Sequence, residues 1–443
     1  MEPALLATLP AELICAILSS LASADDLLSM ILASKQIYES FKSTRKSILL
    51  AVAQNSLGAH ILADGLITVR YLKKRSDDSV FTTRRHPTPL DQNILKDRND
   101  TSTSLRLPLT EWILFFQYQR VVEDFVHDYA SRQLVKYGGP PLSTTELYRL
   151  RRAFYRYDTF QTINLLTMDM RGSERNMVVW PALLTEYATS PWEVEEVMCV
   201  HQYVIERLEE VLDQVETEYI ESVVASTQAT ASLGGDPDET RWHSKGVATS
   251  SRDHPSHFYE TDIEHDEDAR SFFWTSEKRY QILNTEYLST FGLRFLRRLF
   301  HLTDKRTRRA IVAENSGLLA CTLADALLPS VNPFKQEKQD LEEGKPLDFE
   351  GDAPDKRNLG WLWANQYLPT PYYASPCDFD FRSWGYVFWD RPRLEYLNVI
   401  KEPCPRVDRN RSPQKRDRGR EKSVEEKLRE MNIIEERTDF QFY

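Results

Sequence analysis

Cysteine is scarce and scattered. Cys15, Cys199, Cys321, Cys377 and Cys404 are an odd set spread over 443 residues with no C-x-x-C pair, so neither a disulfide framework nor a zinc-finger spacing is available. A reducing compartment is expected. Long apolar runs are also missing: the best, residues 317–328, is broken by Asp325 and falls short of the roughly 18 residues a membrane span needs. At the N-terminus Glu2 and Glu12 stand where a secretory signal carries positive charge, and the first basic residue is Lys35. Together these absences predict an intracellular protein, cytoplasmic and/or nuclear, with no membrane segment. Positive charge is in deficit, with 56 Lys and Arg against 67 Asp and Glu, which argues against a surface built to hold polyanions. Nucleic acid is not an expected partner.

Catalytic signatures are missing as well. There is no G-x-S-x-G, no G-x-x-x-x-G-K-[ST] and no G-x-G-x-x-G, so no residue is assigned to catalysis and no cofactor is expected. Asp378, Asp380 and Asp390 lie among aromatic residues, as two carboxylates of a sugar-cleaving site do, but sequence supplies no distance between them. His243, His254, His257 and His265 gather near Asp262, Glu264, Asp266 and Glu267. Without a cysteine or an H-E-x-x-H pattern, and in a stretch with no periodicity, closing a metal site there would cost ordering entropy, and none is assigned.

What is present is an ordinary globular composition, 41% hydrophobic and 28% charged, long enough for about three units by size. The opening 50 residues read as compact helices. Leu9, Leu13, Ile17 and Leu21 recur every four positions, and Ile14 and Leu18 widen the stripe. Pro10 suits a first helical position. The run from Ser23 to Asp26 interrupts the pattern with capping residues, then Leu27, Leu28, Ile31 and Leu32 supply a second apolar set. Ile37, Phe41, Ile48 and Val52 supply a third. Three short helices bury little surface and are marginal alone.

Residues 51–104 read as a connecting helix and a polar loop, with breakers from 73 onward. Helices follow over 105–224. Trp112, Phe115, Phe116, Val122 and Phe125 share helical spacing up to a stop at Gly138, Gly139, Pro140 and Pro141. Ser143 and Glu146 have capping-box spacing and open a helix carrying Leu147, Leu150, Phe154 and Tyr157, with Arg149, Arg151, Arg152 and Arg156 expected on its outer surface. Ser190 with Glu193 repeats the device and starts a long acidic helix through about Val223. Residues 225–260 are Ser, Thr, Gly, Asp and His rich and read as a linker or insertion. The region 261–400 combines helices at 268–300 and 303–328 with twelve aromatic residues between 360 and 398, expected as irregular or short-strand structure. Residues 401–443 form a charged tail with one short helix opened by Ser423. Arg294, Arg297, Arg298, Lys305, Arg306, Arg308 and Arg309 make a basic stretch expected as a solvated, partly paired surface.

The segments Leu9-Pro10-Ala11-Glu12-Leu13, Ile17-Leu18-Ser19-Ser20-Leu21, Asp26-Leu27-Leu28 and Ser34-Lys35-Gln36-Ile37-Tyr38 occur in the order and with the gaps of the F-box motif, which residues 1–50 resemble. Ala33 and Tyr38 depart from its usual valine and tryptophan. The style of the remainder is similar to the large F-box-like proteins of filamentous fungi, and it lacks leucine-rich, WD and kelch repeats. The resemblance implies a mainly α fold: a three-helix F-box, then a larger helical body with an aromatic-rich, partly irregular C-terminal portion. It also implies a substrate-recruiting, non-catalytic adaptor that binds a Skp1-like adaptor and through it a cullin-RING ubiquitin ligase, while the remainder holds an unknown protein target. Candidate partner contacts are Leu9, Pro10, Leu13, Ile14, Ile17, Leu18, Leu21, Leu27, Leu28 and Ile31. Candidate target contacts are Trp361, Trp363, Trp384 and Trp389, since tryptophan offers large area at low entropy cost; the same residues also suit a core. A scaffold or binding protein acting outside any ligase is the alternative, an enzyme with an unrecognised site comes after it, and an N-terminal hairpin buried against the protein's own body is the plainer reading of the opening helices.

Overall fold

The computed structural model describes residues 9–77, 107–168, 191–232, 278–316, 323, 358–365 and 378–401. The protein is mainly helical, with no strand among the described residues. Helices α1 (Ala11–Ser20), α2 (Ala24–Ala33) and α3 (Lys35–Leu57) form an N-terminal module, joined through α4 (Ala59–Asp77) to three long helices, α5 (Leu109–Tyr137), α6 (Thr144–Met168) and α7 (Pro191–Ser232). Then come α8 (Lys278–Ser289), α9 (Gly292–His301) and α10 (Lys305–Glu314), and three short helices, α11 (Leu359–Asn365), α12 (Asp378–Trp384) and α13 (Arg391–Tyr396). No helix among the described residues is long and apolar enough to cross a membrane.

Local signals hold where they involve near neighbours. The Ser143 hydroxyl accepts from the Glu146 N–H at 3.1 Å while the Ser143 N–H donates to Glu146 Oε2 at 3.0 Å, a complete capping box. Gly138, at φ 75°, ends α5 and donates its N–H to the Leu134 carbonyl at 2.8 Å. Elsewhere the expectations need correction. Within the region 360–398, the described residues 360–365 and 378–398 form short helices and turns, with no strand among them. The single helix expected at 268–300 is two, divided at Gly292. Its φ of 82° favours glycine, and a Cβ there would lie 2.6 Å from Asp158 Oδ1, which accepts the Leu293 N–H at 2.7 Å. Helix α7 continues to Ser232, into the expected linker. The remainder of that linker, the histidine group, and the tail beyond 401 with its Ser423 helix lie outside the described residues.

Helix α6 is the axis of the body, packing on α4, α5, α7 and α9. Its Phe154 ring sits within 5.8 to 6.3 Å of Phe125, Tyr129 and Tyr203. Because neighbours surround it, three arginines expected on its surface are inside. Arg149, Arg152 and Arg156 are all buried, and carboxylates from flanking helices meet them. Arg152 bridges Glu193 at 2.9 Å and Glu196 at 2.6 Å; Arg156 bridges Asp64 of α4 at 2.8 Å and Glu193 at 3.1 Å. Burial acts to lower the Arg152 pKa, but Glu196 and Glu193 outweigh it and hold it above its ordinary value. The C-terminal segment is tied down similarly. Arg382 of α12 makes a paired contact with Glu195 at 2.7 and 2.9 Å, and Arg393 of α13 grips Glu146 with two bonds of 2.9 Å.

Burial also raises the pKa of the Tyr118, Tyr129, Tyr155, Tyr157 and Tyr203 phenols, with Asp158 adding to the effect at Tyr118 and Asp128 at Tyr203. The folded state therefore retains these protons where the unfolded chain, titrating near pH 10, gives them up. Their contribution to stability is present below that pH and is lost as pH rises. We expect absorbance titration near 295 nm to show these phenols ionising only together with unfolding; reversible ionisation of all the tyrosines in a folded chain near pH 10 would contradict the burial.

Candidate partner-docking face

The N-terminal module is an up-down-up bundle whose ends are set by hydrogen bonds. Gln36, at the start of α3, donates to the Leu9 carbonyl at 3.4 Å, and Asn55, near its end, donates to the Ser19 and Leu21 carbonyls at 2.8 and 3.0 Å. Helices α1 and α3 thus run in the same direction, and α2 returns between them. Ser23 caps α2, accepting from the Asp25 and Asp26 N–H groups, and Ser34 caps α3, accepting from Gln36 N–H. Ile14, Leu18 and Leu27 point inward onto Ile37, Phe41, Ile48, Leu49, Val52 and Ala53 as one buried set.

The end carrying Ser23 and Asn55 meets the body: Gln119 of α5 donates to the Ser56 hydroxyl at 2.5 Å, and Arg120 pairs with Asp25. At the opposite end, formed by the start of α1, the end of α2 and the start of α3, apolar side chains face solvent. Leu13 is 51% exposed, Leu28 47%, Leu32 76% and Tyr38 46%, with Pro10 also exposed. Leu13 follows Pro10 by three positions and Leu32 follows Leu28 by four, so each helix offers one face. Leaving this much leucine in water forgoes the transfer free energy its burial would bring.

Of the ten expected partner contacts, Pro10, Leu13 and Leu28 are outward and Leu9, Ile17, Leu21 and Ile31 are half-buried. Ile14, Leu18 and Leu27 are buried, on the faces of α1 and α2 that pack on α3. Leu32 and Tyr38 are exposed as well and were not among the ten. The i+4 step from Leu28 and the last position of the fourth sub-motif were the signals that could have found them.

No family model, curated protein or solved structure matches this chain. The F-box resemblance therefore rests on the four sub-motifs themselves.

The aromatic candidates divide. Trp361 packs edge-on against Trp192 at 5.8 Å, and Trp389 lies beside Tyr129 and Phe388 while its indole N–H donates to the Trp384 carbonyl at 2.8 Å; both are buried. In this chain both lie within its own core. Trp363 and Trp384, 6.2 Å apart, are half-buried, packed with Phe381 and Tyr386. Asp390 accepts from Ser143 and pairs with Arg149 at 2.8 Å, so it fastens the C-terminal segment to α6. The side chains of Asp378 and Asp380 lie outside the described residues. No His, Cys, Asp and Glu group with metal-binding geometry occurs among the described residues.

Proposed function

We propose that this chain is a non-catalytic adaptor: its N-terminal F-box-like module captures a Skp1-like protein, and through it a cullin-RING ubiquitin ligase, while the helical body holds a protein target. One observation carries the reading. Leu13, Leu28, Leu32 and Tyr38 are exposed on the three helices of the module, while Ile14, Leu18, Leu27, Ile37 and Phe41 of the same helices are buried in the core. That supports a surface kept apolar for a partner to cover. In such an assembly the chain's contribution is geometric, raising the effective concentration of a target lysine near a ubiquitin-loaded enzyme.

The test uses Leu13→Asp combined with Leu28→Asp. Both side chains are about half exposed, so the melting temperature is expected to stay within a few degrees of the parent while capture of Skp1 is lost. Retained capture by the folded variant would reject the proposal. Capture of Skp1 with no cullin in the recovered complex would favour a scaffold acting outside a ligase.

A further inference from the structure

The amphipathic helix α9 buries Leu293, Leu296 and Leu299 and places Arg294, Arg297, Arg298 and His301 on the opposite face at steps of three, four and seven. With the Gln117, Val121, Asp124, His127, Asp128 and Ser131 stripe of α5 it walls an open groove of about 820 Å³. The two carboxylates in this groove are already engaged. Asp124 pairs with Arg297 at 2.5 Å; Asp128 accepts the Tyr203 hydroxyl at 2.5 Å and pairs with Arg132 at 3.1 Å and Arg207 at 3.3 Å. Arg294 and Arg298 are exposed, and neither has a carboxylate partner among the described residues. Arg294 lies over the Tyr118 ring at 5.7 Å, which holds its stem in place. The groove therefore has a positive surplus on a chain whose overall charge is −11.

We propose that this groove docks an acidic polypeptide segment. Arg294 and Arg298 stand one helical turn apart, about 6 Å along the axis, which matches carboxylates two residues apart on an extended peptide, about 6.8 Å. Each guanidinium can take a carboxylate with two hydrogen bonds. A nucleic acid fits less well, since its continuous phosphate charge would run against Asp124 and Asp128 as well as the two arginines. The inference deepens the adaptor reading by giving its target-holding half a place and a chemistry. It rests on that reading only for the purpose of binding, because the measurement needs neither Skp1 nor the N-terminal face.

The probe is a fluorescein-labelled decapeptide of alternating glutamate and serine, titrated with the full chain and followed by anisotropy, beside its glutamine counterpart and a single-stranded DNA of equal charge. We expect saturable binding of the glutamate peptide that weakens with salt, and no binding of the glutamine peptide. Arg294→Gln with Arg298→Gln should weaken the glutamate peptide about five-fold or more with an unchanged melting temperature. Asp124→Asn, which frees Arg297, should tighten it. Equal affinity in the double variant, no response to Asp124→Asn, or DNA bound as tightly as the peptide would each overturn the proposal. Loss of Skp1 capture in the Leu13 and Leu28 variant with peptide binding intact would leave the groove standing and mark the two surfaces as separate.

Discussion

Arg152→Met is expected to lower the folding free energy by about 3–5 kcal/mol, a large share of the roughly 5–15 kcal/mol that holds a typical domain together. The loss is not that of one hydrogen bond. Removing the guanidinium takes the paired Arg152 contact from buried Glu196 and one of its two arginines from Glu193, and a buried charge that loses a charged partner costs more than the pairing contributes. Chemical denaturation with intact slope measures the effect. A second variant separates charge from lost volume: adding Glu196→Gln to Arg152→Met should recover part of the loss, since the carboxylate that lost Arg152 becomes neutral. A deficit that persists unchanged in the double variant would mean that Arg152 acts by filling space.

Glu146→Met should have a comparable effect of about 3–5 kcal/mol with a different signature. Glu146 has two duties. It completes the capping box of α6 through the Ser143 N–H, and it receives both Arg393 bonds together with the Asp390 N–H at 3.0 Å. Its loss leaves buried Arg393 with the Pro140 carbonyl and the face of Trp389 as remaining partners, and α13 loses its anchor. Amide hydrogen exchange should quicken over 385–401 before it changes in α5 or α7. Ser143→Ala, which removes the cap acceptor and the hydroxyl bond to Asp390 but leaves both Arg393 bonds and the Arg149 pair with Asp390 in place, should cost only about 1 kcal/mol and quicken exchange in that segment far less than Glu146→Met. Uniform acceleration over the whole body in Glu146→Met would show that the segment is not a separable unit.

The two variants illustrate how far a linear reading goes. The capping box at Ser143 and Glu146 was legible because both partners sit within one turn and the spacing itself is the signal. The grip of Glu146 on Arg393, 247 positions away, was not. The same holds for Arg149, Arg152 and Arg156. Arginine at helical steps looks like a solvated face, and only the approach of Asp64 on α4, Glu193 and Glu196 on α7 and Asp390 beyond α12 turns that face into the interior. Trp361 and Trp389 were ambiguous for a related reason: tryptophan suits a recognition surface and a core equally, and burial against Trp192 and Tyr129 settles them as core.

The candidate docking face was legible in outline. Four sub-motifs and two apolar sets located it within residues 9–38, but hydropathy cannot divide one stripe into an inner and an outer part. Ile14 and Leu13 are adjacent, chemically alike and oppositely placed, because α3 lies on one side of α1 only.

Helical content, helix starts at Ala24, Lys35 and Thr144, and the stop at Gly138 follow from residues within a turn of one another, where side chain and backbone meet whatever the rest of the chain does. The inward arginines, the groove beneath Arg294 and Arg298, and the outward leucines of the first two helices depend on which distant helices come to lie alongside. Free energies of burial and charge pairing are properties of surroundings, and those surroundings come into being only when the chain has folded.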